Sequence, residues 1–229
     1  MRKSPLEYLP GMEEIEPDVR NKVMGHVDSY QPEKYTAVDV RRALNKNRPD
    51  EEDLKALLSP AAAPFLEEMA QKARGLTSRH FGNTVYMFTP LYLANYCENY
   101  CIYCGFNCYN DIQRVQLTSE QMEHEMQVIA SSGMEEILLL TGESRGKSSL
   151  EYIGGACRLA RKYFRNVGLE IYPVNTDEYK YLHECGADYV TVFQETYDLA
   201  KYEQLHLAGH KRVWPYRFDA QERALRGGM

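Results

Sequence analysis

Three cysteines stand at the spacing C-x3-C-x2-C in the stretch "NYCENYCIYCGFNC" (95–108): Cys97, Cys101 and Cys104. Thiolates this close on one loop can converge on a single polynuclear centre, and iron–sulfur clusters are held in this way. A [4Fe–4S] cubane with only three protein ligands keeps one iron open, and an open coordination position is where a metal centre does chemistry. Zinc is the rival metal. A structural zinc site wants four ligands, and Cys108 would supply the fourth in C-x3-C-x2-C-x3-C, which matches no ordinary zinc spacing. The histidines on either side, His80 and His124, sit far from any such pattern. A dithiol role for Cys101 and Cys104 ignores Cys97, and a c-type haem needs a histidine where Gly105 stands. Cys157 and Cys185 fall on predicted helices and read as buried structural thiols.

Composition narrows the setting. The chain has 229 residues, 44% hydrophobic and 26% charged, with a net charge of -6. That is the make-up of a globular protein with a real core, and it lacks the basic face of a nucleic-acid binder. The first residues, "MRKSPLEYLPGMEEIEPDVR", contain no apolar h-region, and no run of about 18 apolar residues suggests a membrane span. A cytoplasmic setting is expected, where thiols stay reduced and clustered cysteines serve metals rather than disulfides.

The elements that must position the cysteines follow from periodicity. Residues 1–35 read as a polar, proline-containing irregular leader, and 36–82 as a helical extension. Thr36 is a candidate N-cap, an acidic first turn opens "DEEDLKALLS", and Ser59-Pro60 precedes a helix expected to end near Gly75 or a turn later. From 83 to 229 strands and helices alternate. Strands are predicted at 84–94, 135–142, 167–174 and 187–195; helices are predicted from about Thr118, over 150–164, 178–185 and 219–225. Such alternation implies parallel pairing, in an open doubly wound sheet or a (β/α) barrel. A whole barrel needs about 250 residues, so the pattern reads as a barrel truncated after about four β/α units. The cysteine loop follows the first strand, on the face where functional groups of such folds gather.

With these residues in place, C-x3-C-x2-C with an aromatic, Tyr103, before the last cysteine resembles the signature of the radical S-adenosylmethionine enzymes. The segments "SPAAAPFLEEMAQKA", "RHFGNTV", "PLYLANYCENYCIYCGF", "LLLTGE", "VFQETY" and "HLAGHK", from about Thr36 to Met229, resemble the tyrosine lyases of thiamine thiazole biosynthesis, the 2-iminoacetate synthases. The resemblance implies a partial (β/α) TIM-type barrel and a [4Fe–4S] cluster on Cys97, Cys101 and Cys104. It also implies S-adenosyl-L-methionine at the open iron and a 5'-deoxyadenosyl radical that attacks L-tyrosine. The Cα–Cβ bond then breaks to p-cresol and 2-iminoacetate (dehydroglycine).

The same resemblance places Tyr103 beside the cofactor's adenine, and aligns Gly142 and Glu143 with the family's "GGE"-type motif, Glu143 pairing with the methionyl ammonium. Glu170, Gln194 and Glu195 are candidates for the ribose or the substrate. His206 and Arg217 are candidates for the tyrosine carboxylate, with a surface charge as the plainer reading of both. Implied partners are the thiazole synthase of the pathway and a flavodoxin- or ferredoxin-type electron donor. The chain departs from the family in length, so by itself it reads as incomplete for turnover. The related tyrosine lyase of [FeFe]-hydrogenase cofactor maturation, and an inactive zinc-binding fragment using Cys97, Cys101, Cys104 and Cys108, are the alternatives.

Overall fold

A computed structural model of the chain describes residues 4–16 and 18–229. These form two compact units: 18–86, and the first residues together with 87–229.

The 18–86 unit is all helical: α1 (Asp18–Ser29), α2 (Ala37–Asn45), α3 (Glu51–Leu57) and α4 (Leu66–Phe81), with a 3-10 turn over Pro60–Phe65. Capping boxes open two of them. The Asp39 carboxylate accepts from the Thr36 amide at 3.0 Å, and Asp50 and Asp53 exchange backbone-to-side-chain bonds at 2.9 and 3.0 Å. Val40, Leu44 and Ala62 make its small core, with Phe65 and Met69 packed against them. One expectation is corrected. The leader is not irregular throughout, because α1 occupies part of it; its apolar stripe is Val19, Val23 and Val27, which the polar composition concealed. α4 runs through Gly75 to Phe81, where Gly82 at φ 60° ends it. A lone glycine costs an exposed helix only about 1 kcal/mol, which neighbouring helix formers offset.

In the larger unit the strands are β1 (Thr89–Ala94), β2 (Tyr100–Cys101), β3 (Glu136–Thr141), β4 (Asn166–Glu170), β5 (Tyr189–Thr191) and β6 (His206–Ala208). β1, β3, β4 and β5 form one parallel sheet in that order, and β2 pairs with β6 antiparallel. The helices between them are α5 (Ser119–Ser131), α6 (Leu150–Ala160) and α7 (Thr176–Glu184). α8 (Leu199–Leu205), α9 (Trp214–Phe218) and α10 (Ala220–Arg226) follow β5. This is the alternation predicted, as part of a (β/α) barrel. The strands are shorter than predicted: 84–88 is not strand, and β5 keeps three residues of the nine expected. Val85, Tyr86, Met87 and Phe88 are exposed, so β-propensity without a partner strand did not suffice. The stretch 196–218, left unassigned by periodicity, holds α8, β6 and α9.

Register decides which side chains face the site. Leu91, Leu139, Leu169 and Val190 lie in one row across the sheet. They join Met122, Met126, Ile153, Cys157, Tyr179 and Leu182 from α5, α6 and α7 in the main core. Full burial of each such side chain contributes about 2 kcal/mol of transfer free energy. The next row, one residue on and on the opposite face, is Tyr92, Leu140, Glu170 and Thr191. That row lines the candidate site. Cys157 and Cys185 are buried, as their helical positions implied.

The polar start of the chain is not idle. The Glu13 carboxylate accepts from the Thr176 amide and hydroxyl at the first turn of α7, at 2.6 and 3.0 Å. Asn175 Oδ1 accepts from the Glu13 amide, and the Trp214 amide donates to the Pro5 carbonyl. Among the described residues no helix is long and apolar enough to cross a membrane.

Candidate active site

β1 delivers the chain to the cysteine loop at the C-terminal edge of the sheet, and the loop is held by its own backbone. Arg114 lies in the segment that returns toward α5. Its guanidinium donates to the carbonyls of Asn95, Phe106 and Asn107 at 2.7, 3.0 and 2.8 Å, and more weakly to Asn110 at 3.4 Å. A planar fork of donors suits several carbonyls at once, which a lysine cannot do. Replacing Arg114 with Met leaves these carbonyls without their donor. It should cost about 1–3 kcal/mol, read as a lower thermal midpoint, and Arg114→Lys should not restore it.

An open cavity of about 180 Å³ lies above the strand ends. Cys97, Cys101 and Cys104 line it together with Gly142, Glu143, Glu170, Glu195 and Arg217, so eight of the eleven residues singled out from the sequence meet in one place. The other three do not line it. Tyr103 is partly exposed and its hydroxyl lies 2.7 Å from His206 Nε2. Gln194 is buried beside the cavity wall. His206 is fully buried, its Nδ1 donating to the Tyr202 carbonyl at 2.9 Å and its ring stacked on Tyr202. His206 and Arg217 are therefore not surface charges. A carbonyl only accepts, so Nδ1 carries a proton.

The cavity also collects residues that sequence patterns did not flag: Asn99, Lys211, Tyr92, Phe106, Thr191 and Phe193. Tyr92 and Thr191 were legible once register was known, because they share a row with Glu170. Lys211 closes the "HLAGHK" segment, but no sequence pattern assigned it a role. Its Nζ lies 2.7 Å from Glu195 Oε1, while His206 Nε2 is 3.6 Å from the other oxygen. Burial alone would raise the Glu195 carboxyl. The His206 and Lys211 side chains and the Arg217 charge overcome it and hold Glu195 at about 2, below its ordinary 4.5. A carboxyl lowered on folding contributes stability that is present above the ordinary value and lost as pH falls toward the folded one. The Glu195 carboxylate should then stay ionised between about pH 5 and 8, and Lys211→Met should raise its titration midpoint in a carboxyl NMR experiment. Glu170 moves the other way. Burial raises it, against the Lys211 and Arg217 charges.

Glu143 follows β3 and is gripped from two sides. Arg217 Nη1 lies 2.9 Å from its Oε1, an ion pair without hydrogen-bond alignment, and Asn99 Nδ2 donates to its Oε2 at 2.8 Å. Burial would lower the Arg217 guanidinium, but the Glu143 charge holds it above its ordinary value. Gly142 has a steric duty: a Cβ there would lie 2.2 Å from the Tyr96 carbonyl oxygen, so only glycine lets β3 approach the cysteine loop.

The donor set, three thiols lining one cavity, fits an iron–sulfur cluster. Among the described residues no three His, Cys, Asp or Glu groups are gathered tightly enough to chelate one metal. Tetrahedral zinc draws thiolates to roughly 3.8 Å of one another, whereas cysteines on different irons stand further apart. Cys108, the supposed fourth zinc ligand, is exposed and does not line the cavity. Burial raises the Cys97 thiol and pushes Cys101 up to about 12, so binding of metal, which takes thiolate, would release protons. Thr141 Oγ1, buried in the wall, has no hydrogen-bond partner among the described residues, so a polar ligand would satisfy it.

Parallel β/α units with three cysteines on the loop after the first strand define the radical S-adenosylmethionine fold, and this chain has a partial barrel of that kind. HydG, a maturase of the [FeFe]-hydrogenase, superposes with a TM-score of 0.81 at 28% identity, over 91% of this chain and 48% of that one. Methylornithine synthase (PylB) shares the fold at a TM-score of 0.61. In sequence the chain is similar to 2-iminoacetate synthase: 42% identical to that of Salmonella typhimurium over 194 residues, and 41% to that of Escherichia coli. 3-Methylornithine synthase of Methanosarcina acetivorans is 32% identical over 161 residues. The chain spans about half the length of these relatives, 52% of the first two. No family model matches it.

Proposed function

We propose that the chain carries the cluster- and cofactor-binding part of a radical S-adenosylmethionine lyase that cleaves the Cα–Cβ bond of L-tyrosine to p-cresol and 2-iminoacetate for the thiazole of thiamine. The observation that carries this reading is the joint lining of one cavity by Cys97, Cys101, Cys104 and the Glu143–Arg217 pair, in a chain 42% identical to a 2-iminoacetate synthase. A [4Fe–4S] cluster bound there would supply one electron for reductive cleavage of S-adenosyl-L-methionine. The chain's own residues bind and orient. The three cysteines hold the metal, and Glu143 offers a carboxylate and Arg217 a guanidinium to the two charged ends of an amino acid. Glu170 and Thr191, on the inner row of the sheet, face the space where a ribose or the substrate would lie. Phe106, Phe193 and Tyr92 add apolar surface to the cavity lining.

By this reading the protein works in the cytoplasm with a thiazole synthase downstream and a flavodoxin- or ferredoxin-type electron donor. The lower identity to HydG disfavours the hydrogenase-maturation role. The chain, reconstituted anaerobically with iron and sulfide, should bind a cluster and S-adenosylmethionine; joined to the C-terminal half of a 2-iminoacetate synthase and supplied with dithionite and L-tyrosine, it should release p-cresol in step with 5'-deoxyadenosine. Formation of 5'-deoxyadenosine with another amino acid but none of it with tyrosine would overturn the substrate assignment.

A further inference from the structure

Within the C-x3-C spacing stands Asn99, a residue that no part of the proposed function yet uses. It is 1% exposed, so its side-chain amide must find partners inside the protein. Each half of the amide finds one. Nδ2 donates to Glu143 Oε2 at 2.8 Å and lies 3.7 Å from Cys97 Sγ, while Oδ1 accepts from the Lys211 amide at 2.9 Å. The orientation is not arbitrary: a carboxylate can only accept and a backbone N–H can only donate, so a flipped amide would lose both bonds. The Asn99 carbonyl also accepts from the Cys108 amide at 3.0 Å, closing the far end of the cysteine loop. The chain makes room for it. Gly209 sits at φ 90°, and a Cβ there would lie 2.3 Å from Asn99 Oδ1. One side chain thus touches three loops, those after β1, β3 and β6, each of which contributes to the cavity.

We infer that Asn99 is a positioning residue that sets the cysteine loop against Glu143 with its amide nitrogen and against the Lys211 turn with its amide oxygen. The inference rests on the cofactor reading for its consequence, but not for its geometry. Residues one bond removed from the groups that contact a metal or its ligand typically alter binding or activity by about 10- to 100-fold.

Two variants separate the two halves of the amide. Asn99→Asp has the same shape and keeps an acceptor for the Lys211 amide, but it replaces the donor to Glu143 with a second negative charge. Asn99→Ala removes both. In the metal-free chain, hydrogen exchange at the Lys211 amide should stay within about twofold of the parent in Asn99→Asp and accelerate about tenfold or more in Asn99→Ala. The Ile153 amide in α6 should be unchanged in both. After anaerobic reconstitution both variants should bind parental iron. Both should also bind S-adenosylmethionine at least about tenfold more weakly, with loss of the change it makes in the spectrum of the reduced cluster. If Asn99→Asp binds S-adenosylmethionine as the parent does, or if Lys211 exchange is unmoved in Asn99→Ala, the inference is wrong. Failure of the parent chain itself to take up a cluster would instead overturn the cofactor reading, and the Lys211 exchange would still decide the role of Asn99.

Discussion

Gly142→Ala is expected to destabilise the chain by about 2–4 kcal/mol and to impair cluster uptake, although it adds a single methyl group. The methyl would lie 2.2 Å from the Tyr96 carbonyl oxygen and 3.1 Å from the Asn95 carbonyl carbon. These are backbone atoms and cannot rotate away as a side chain would. The Gly142 amide also donates to the Ala94 carbonyl at 2.8 Å, so β3 and the base of the cysteine loop are joined at this point. Relief of the clash requires the loop to move as a body, and Cys97 moves with it. Thermal unfolding of the metal-free protein measures the first effect, and iron content after reconstitution measures the second. A variant that melts and loads as the parent does would show that the close approach is not obligatory. The resemblance marked Gly142 as a cofactor residue, whereas its geometry makes it the spacer that lets the cofactor loop sit where it does.

Arg217→Met should be about as damaging, for an electrostatic reason. The Arg217 side chain is 4% exposed and that of Glu143 14%, and the two are paired at 2.9 Å. Removal of one partner leaves a carboxylate in a poorly solvated place, which typically costs about 3–5 kcal/mol. The Phe193 carbonyl also loses its donor from Arg217 Nε. The double variant Arg217→Met with Glu143→Gln removes the unpaired charge as well, so it should recover part of that loss, about 1–2 kcal/mol in denaturant titration. Equal stability of the single and double variants would mean that Glu143 is well solvated without its partner.

Much of this architecture was legible in the sequence because it rests on local signals. The C-x3-C-x2-C spacing marked a loop whose three cysteines line one cavity, "EEILLLTG" marked a buried parallel strand, and the "TSEQ" box marked the start of α5, where the Thr118 hydroxyl accepts from the Gln121 amide. What remained hidden depends on partners distant in the chain. α1 showed only three valines. Val85 to Phe88 have strand propensity but no neighbour to pair with. The 196–218 stretch folds into short pieces held by distant partners, as in the pairing of Cys101 with His206 and the contact of Tyr216 with Tyr8. Arg217 and His206 looked like surface charges because their counterparts, Glu143 and Tyr103, lie about 70 to 100 residues away in the sequence. Asn99 and Lys211 lie in segments that carry the resemblance but acquire a role only through the bond between them.

The central claim is that Cys97, Cys101 and Cys104, without Cys108, hold a cluster with one open iron. Its most direct test is the metal and acid-labile sulfide content of the chain after anaerobic reconstitution, for the parent, the triple variant with Ala at Cys97, Cys101 and Cys104, and Cys108→Ala. The account predicts about four irons and four sulfides per chain in the parent and in Cys108→Ala, and background levels in the triple variant. Stoichiometric zinc in the parent, iron retained by the triple variant, or iron lost on removal of Cys108 would contradict it.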